Sequence, residues 1–149
     1  MLKMAKIMTA ALSLSFVTVG AEAQIFLQED NVSYERAAKA MQAGNYTTAS
    51  KLFRRAIKGN LRGERLVSAY NNLCAIEYSR GEYERAEKAC DEALTADKTY
   101  WLAYANRANV REARGNLAQA LADRQAARVI APEKELEQRV IASIVHHKW

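Results

Sequence analysis

One pattern is written three times along this chain. AGNYTTASKLFRRAI (43–57), RGEYERAEKACDEAL (80–94) and RGNLAQALADRQAAR (114–128) align on Gly44, Gly81 and Gly115, spaced 37 and 34 residues apart. Two residues after each glycine stands Tyr46, Tyr83 or Leu117; five after, Ala49, Ala86 or Ala120; twelve after, Ala56, Ala93 or Ala127. Upstream of the second and third glycines, AYNNLCAIEYSRG and AYANRANVREARG stay in register over thirteen residues. A self-similar period near 34 residues marks a helical solenoid, in which each unit buries its apolar face only by stacking on its neighbours.

The residue types explain themselves on that reading. A glycine supplies the left-handed backbone residue that ends the first helix of a pair without Cβ strain. The bulky residue two places on plugs the corner. Alanine at the two later places lets two helix backbones approach where a larger side chain would not fit. Proline occurs once and glycine six times, while alanine, leucine and charged residues dominate, as an all-helical chain requires. Helices are predicted over 31–43, 46–58, 65–80, 83–96, 100–114, 117–130 and 133–147.

These residues resemble the tetratricopeptide repeat, whose consensus runs W-x2-L-G-x2-Y in the first helix and G-x-Y-x2-A through the turn, then an aromatic, an alanine and a terminal proline. The second copy matches with Tyr70, Leu73, Gly81, Tyr83, Ala86, Ala93 and Leu94, and the third with Tyr104, Ala108, Gly115, Ala120, Ala127 and Pro132. The first has Tyr34, Ala37, Gly44, Tyr46, Ala49, Phe53, Ala56 and Ile57 but lacks the leucine. With the glycines at place 15 of the repeat, place 24 departs from the usual aromatic in holding Cys90 and Arg124, and the linker KGNLRGERL (58–66) is three residues longer than the period requires. The resemblance implies an all-α, right-handed solenoid of three hairpins (about 31–60, 67–98 and 101–132) followed by a capping helix over 133–147. Leu136, Val140, Ile141, Ile144 and Val145 would face the last hairpin; a helix lying on a membrane surface is the alternative for that segment.

The opening MLKMAKIMTAALSLSFVTVGAEAQ has the three-part order of a secretory signal: Lys3 and Lys6, an uncharged run from Ile7 to Gly20, then Ala-Glu-Ala. Its apolar core is shorter than the roughly 20 residues of a permanent span. The expected mature chain begins at Gln24, exported to a periplasm in a Gram-negative source and otherwise secreted. No second apolar stretch follows, so no membrane span is expected after signal removal. The formal charge is +5; Lys3, Lys6 and Glu22 account for +1 of it, leaving +4, with both signs interspersed as on solvated helix faces rather than in a nucleic-acid stripe.

Cys74 and Cys90 are the only cysteines, on the two helices of the middle repeat. Helix axes pack about 8–10 Å apart, and a disulfide needs Cα atoms within about 7 Å, so only a close small-residue contact can be bridged. In an exported protein an even count favours pairing. Two buried thiols, or a redox pair, are the other readings.

No residue pattern points to catalysis. The only histidines, His146 and His147, are adjacent, which helical geometry splays apart, and no phosphate loop or nucleophile elbow is present. Neither a cofactor nor a metal is implied. The NVS (31–33) and NYT (45–47) triplets are sequons with meaning only in a eukaryotic source. What the family resemblance implies instead is a protein-binding groove lined by places 2, 5, 9 and 12 of the first helices. These are Asn31, Tyr34, Ala38 and Met41; Ser68, Asn71, Ala75 and Tyr78; and Leu102, Ala105, Asn109 and Glu112, with Asn72 and Asn106 beside the stripe and Arg139 on the capping helix. Asparagine amides could bond an extended peptide backbone and Tyr34 and Tyr78 could serve as apolar platforms; Asn71, Tyr78 and Asn109 are expected on the exposed side of their helices. The lysine-rich carboxylate clamp of the family is not matched, since its lysine places hold Asn71 and Ala105. The alternative is a structural module that self-associates through its terminal faces.

Overall fold

The computed structural model describes residues 31–131, and these form six helices and no strand. Residues 31–42 form α1; Tyr46–Lys58, α2; Gly63–Ser79, α3; Tyr83–Ala96, α4; Trp101–Ala113, α5; Leu117–Ile130, α6. Three helices differ from expectation by one or two residues: α1 ends at 42 rather than 43, α3 spans 63–79 rather than 65–80, and α5 spans 101–113 rather than 100–114. The early start of α3 comes from the long linker. Leu61 is buried in the first core, Asn60 and Gly63 take positive φ of 80° and 59°, and the chain turns tightly enough for the helix to begin at the glycine. The signal segment, the capping helix and Arg139 lie outside the described residues.

The three hairpins turn by one mechanism. At Gly81 φ is +74°, the Gly81 N–H donates to the Tyr78 carbonyl and the Glu82 N–H to the Glu77 carbonyl, which satisfies two carbonyls that the helix end would leave open. Gly44 and Gly115 repeat both bonds, from Gly44 and Asn45 to Met41 and Ala40, and from Gly115 and Asn116 to Glu112 and Arg111. A side chain at these glycines would meet nothing within 4 Å, so the backbone conformation alone demands the residue.

The paired alanines do what their places imply. Ala49, Ala86, Ala120, Ala56, Ala93 and Ala127 are all buried where the second helix of each hairpin meets its neighbours. Between places 8 and 24, the two helices of a hairpin face each other directly. The first hairpin fills that space with Ala37 and Phe53, both fully buried. The second bridges it: Cys74 and Cys90 form a disulfide with Cα atoms 5.3 Å apart, both side chains fully buried. The third has Ala108 buried opposite a half-buried Arg124. The hairpins then stack in order, α3 on α2, α5 on α4, and α3 also reaches α5. The first helices therefore lean on one another along one side, the inner side of the curve.

Candidate functional site

The first helices bring their expected stripe to the inner side, but the stripe is less uniform than the repeat arithmetic suggests. Asn71 is a correction. It is only 7% exposed, and its Oδ1 accepts a hydrogen bond from Asn106 Nδ2 at 2.9 Å. An amide one repeat away thus closes over it. Asn106, Asn109 and Asn72 are half-buried, while Tyr78 is exposed and packs at a tilt on Tyr83, ring centroids 5.9 Å apart. Leu102 is exposed beside them. Glu112 is exposed and paired with Arg124 of α6.

Tyr34 is not a free platform. Its hydroxyl donates to Ser68 Oγ at 2.9 Å, its ring meets Phe53 edge-on at 5.7 Å, and the Arg65 guanidinium lies 5.8 Å from the ring centroid. Arg65 also donates to Asn31 Oδ1 and pairs with Glu35, so α1 and α3 are tied at this end of the stripe. Tyr100 joins the same group through Ser68, and burial pushes its phenol above the ordinary value. A shallow cleft beside it is lined by Gly63, Glu64, Leu66, Val67, Ala96, Asp97 and Tyr100, none of them a groove residue. In it, bonds from the Thr99 hydroxyl and N–H hold the Asp97 carboxyl below its usual range.

Two buried carboxylates depart from the expectation that charges here are solvated. Glu77 is fully buried: its Oε1 accepts from Ser50 Oγ at 3.1 Å and from Arg54 at 2.5 Å, with Arg85 at 3.7 Å, and its Oε2 has no donor among the described residues. Asp123, 4% exposed, receives a two-pronged bond from Arg107 at 2.7 and 2.9 Å and a third from Arg111 at 2.9 Å. Arg107 reaches on to Asp91 at 2.7 Å; burial pulls its guanidinium down, yet the two aspartates outweigh that and raise its pKa. Arg111 and Arg114 both bond Glu87; burial pushes that carboxyl up, and the two guanidiniums more than reverse it, leaving the pKa lowered. The signal for these residues was present in place 11 of the repeat, where the consensus tyrosine is replaced by Glu77 and Arg111. A charge in a tyrosine's packing slot must find a partner.

Among the described residues no helix is long and apolar enough to cross a membrane, and no group of three acidic, histidine or cysteine residues is placed to hold a metal ion. No family model and no curated protein matches the sequence. Solved structures do. The second such domain of Spaghetti (RPAP3), bound to an HSP90 peptide SRMEEVD, is 25% identical and superposes with a TM-score of 0.68 over 76% of this chain and 96% of that one. The OM64 domain from Arabidopsis is also 25% identical, with a TM-score of 0.67 over 79% and 98%. The described residues have the tetratricopeptide-repeat fold. The type III secretion translocator chaperone SycD of Yersinia enterocolitica shares the fold at 24% identity, with a TM-score of 0.66 over 77% and 88%. The tetratricopeptide-repeat domain thus accounts for the whole described region, including the hairpin that carries a disulfide at the hairpin's closest approach.

Proposed function

We propose that this protein is an exported interaction module that holds an extended segment of a partner protein along α1, α3 and α5. The observation that carries the reading is the pair Asn71–Asn106. One amide N–H of Asn106 is committed to Asn71, which fixes the side chain, while its carbonyl oxygen and second N–H have no partner among the described residues. A preset amide of this kind suits a peptide backbone, which offers a donor and an acceptor at each residue. Exposed Tyr78 and Leu102 supply apolar surface beside it. The Spaghetti domain was solved with its HSP90 peptide, and the second human RPAP3 domain with an HSP70 peptide. Asn71 and Ala105 at the lysine places make the groove here a neutral one, fitted to an internal segment rather than to a terminal carboxylate.

Export is supported by the order of Lys3, Lys6, the apolar run and Ala-Glu-Ala, and by the bonded cysteines, which suit an oxidising compartment. N-terminal sequencing of protein from its native host is expected to start at or near Gln24.

The groove is tested by screening the full chain against a peptide library and repeating the measurement on Tyr78→Ala, Asn106→Ala and Asn109→Ala. Binding residues that matter cost about tenfold or more in affinity when truncated; none of these side chains is in the apolar core, and a melt of Asn106→Ala checks that losing its bond to Asn71 leaves the domain folded. Peptides that bind the wild type should lose about tenfold or more with at least two of the variants, at unchanged helicity. Equal capture by all three variants would sink the groove reading.

A further inference from the structure

We infer that the outer face of α2 is a docking surface for an anionic phospholipid bilayer. Lys51, Arg55 and Lys58 are spaced four and three residues apart, so they stand in one row along about 10 Å of helix axis. All three are exposed, and no carboxylate among the described residues lies within ion-pair reach of any of them. The opposite side of α2 buries Ala49, Phe53 and Ala56. The helix contains no acidic residue at all. Residues 31–62 hold seven Lys and Arg against one Glu, whereas α4 holds four acids and two bases.

The repeat does not require this row. The same three places are Lys88, Glu92 and Thr95 in α4, and Ala122, Ala126 and Val129 in α6. Cations near a helix C-terminus complement the macrodipole, which accounts for Arg55 and Lys58 in the last turn. Lys51, in the middle of the helix, falls outside that explanation. Most arginines of the domain are tied down: Arg54, Arg65, Arg80, Arg85, Arg107, Arg111, Arg114 and Arg124 meet carboxylates, whereas Arg36, Arg62 and Arg128, which stand apart from one another, meet none among the described residues. The α2 row is left with its charge unspent.

The face also lacks what a specific protein interface needs. Such interfaces have a fully buried apolar centre with a polar rim, but beside the row stand Thr47, Thr48 and Arg54, the last paired with Glu77, with exposed Tyr46 at the end of the helix. A fluid anionic surface needs no apolar centre. It attracts each nearby Lys or Arg by about a fivefold factor in partitioning, and lipid headgroups rearrange to meet a fixed row. The row lies on a second helix, on the outer side, so docking there leaves the inner groove open.

The experiment uses the full chain with vesicles of phosphatidylglycerol and phosphatidylcholine in equal parts, and with phosphatidylcholine alone. The readout is the ratio of binding to the two, because the apolar run at 7–20 adds lipid affinity that is indifferent to headgroup charge. The triple variant Lys51→Gln, Arg55→Gln, Lys58→Gln should lower this ratio by up to about a hundredfold. Salt near 0.5 M should do much the same. A control with equal charge loss, Lys88→Gln, Lys98→Gln, Arg128→Gln, should leave it within a few-fold. Circular dichroism melts confirm that both variants fold. An unchanged ratio in the row variant overturns the assignment, as does an equal fall in the control, which would reduce it to net charge. Row-dependent binding to duplex DNA or polyglutamate that exceeds vesicle binding at the same salt also overturns it.

Discussion

Removing the Cys74–Cys90 link should cost this domain a large part of its stability. The bond closes a loop of sequence separation 16. In the chain-entropy model a loop of that size restricts the unfolded ensemble by about 3 kcal/mol. Each kcal/mol shifts the melting temperature of a domain of about 100 residues by roughly 4–8 °C, so Cys74→Ala/Cys90→Ala is expected to melt at least about 12 °C lower. Both side chains are fully buried, and the two lost sulfurs add a packing penalty that pushes the shift further in the same direction. Thermal melts of the oxidised wild type and the double variant measure this, with mass spectrometry confirming the two-hydrogen deficit beforehand. Burial adds a kinetic corollary: a reductant reaches the sulfurs only when the hairpin opens, so reduction should follow unfolding and be slow in native buffer. A rescue separates loss of the link from loss of packing. Cys74→Ala/Cys90→Phe copies the first hairpin's Ala37 and Phe53 and should recover part of the loss without any bond. A double alanine variant that melts within about 4 °C of the oxidised wild type would refute the loop-closure reasoning.

Three further outcomes follow from the polar contacts. Asn71→Ala should cost about 1 kcal/mol, the net worth of the hydrogen bond this nearly closed side chain accepts from Asn106, whereas Asn109→Ala should stay within about 0.5 kcal/mol; denaturant melts of the two compare them. Asp123→Ala removes the carboxylate shared by Arg107 and Arg111, whose side chains are 16% and 17% exposed; a loss of about 3 kcal/mol is expected, as for other broken buried pairs, and a shift under 1 kcal/mol would mean that Asp91 and Glu87 suffice. Glu87 and Asp97 have lowered folded pKa values, so the stability they contribute is full above their ordinary values of 4.5 and 3.8 and is lost as pH falls below them through the folded values; melts from pH 6 to pH 2 should decline from about pH 4.5, and Glu87→Gln should flatten the upper part of that decline.

The hairpins were legible because their determinants are local. Gly44, Gly81 and Gly115 need one backbone conformation each, and Ala49, Ala86 and Ala120 need one close approach, so identity and spacing suffice. The disulfide was legible as a possibility: spacing put Cys74 and Cys90 on facing helices, and only the distance between them decided it. The inner stripe was legible in register but not in exposure. Place 5 holds Tyr34, Asn71 and Ala105, and whether such a side chain stays open depends on what the next repeat lays across it, which for Asn71 is Asn106. The buried acids were the least legible. Glu77 could be found only by holding its place 11 against the repeat consensus, and Asp123 lies among other charged residues at ordinary helical spacing, where nothing in a single helix tells which of them faces a neighbouring helix.

The inter-hairpin contacts also bear on how each hairpin tells its own neighbour from a similar hairpin of a second copy. Place 11 of each hairpin meets place 21 of the one before it: Glu77 bonds Ser50, and Arg111 bonds Glu87 at 2.8 Å. At the first junction Arg54 adds its charge to the same carboxylate. A third hairpin of another copy laid on the first would bring Arg111, held only by its own hairpin's Asp123, against Arg54 and Ser50, with no carboxylate at place 21 to receive it. A second hairpin stacked on a copy of itself would put Glu77 against Glu87. Both arrangements bury like charges, which costs far more than a lost surface pair. The short connections between α2 and α3 and between α4 and α5 set the order within one chain; the alanine and glycine skeleton is common to all three hairpins, so discrimination against a wrong hairpin from another copy rests on these few polar residues. That explains why a charge replaces the tyrosine at place 11 although tyrosine would pack better. The same packing lays α5 beside α3 and so brings Asn106 over Asn71.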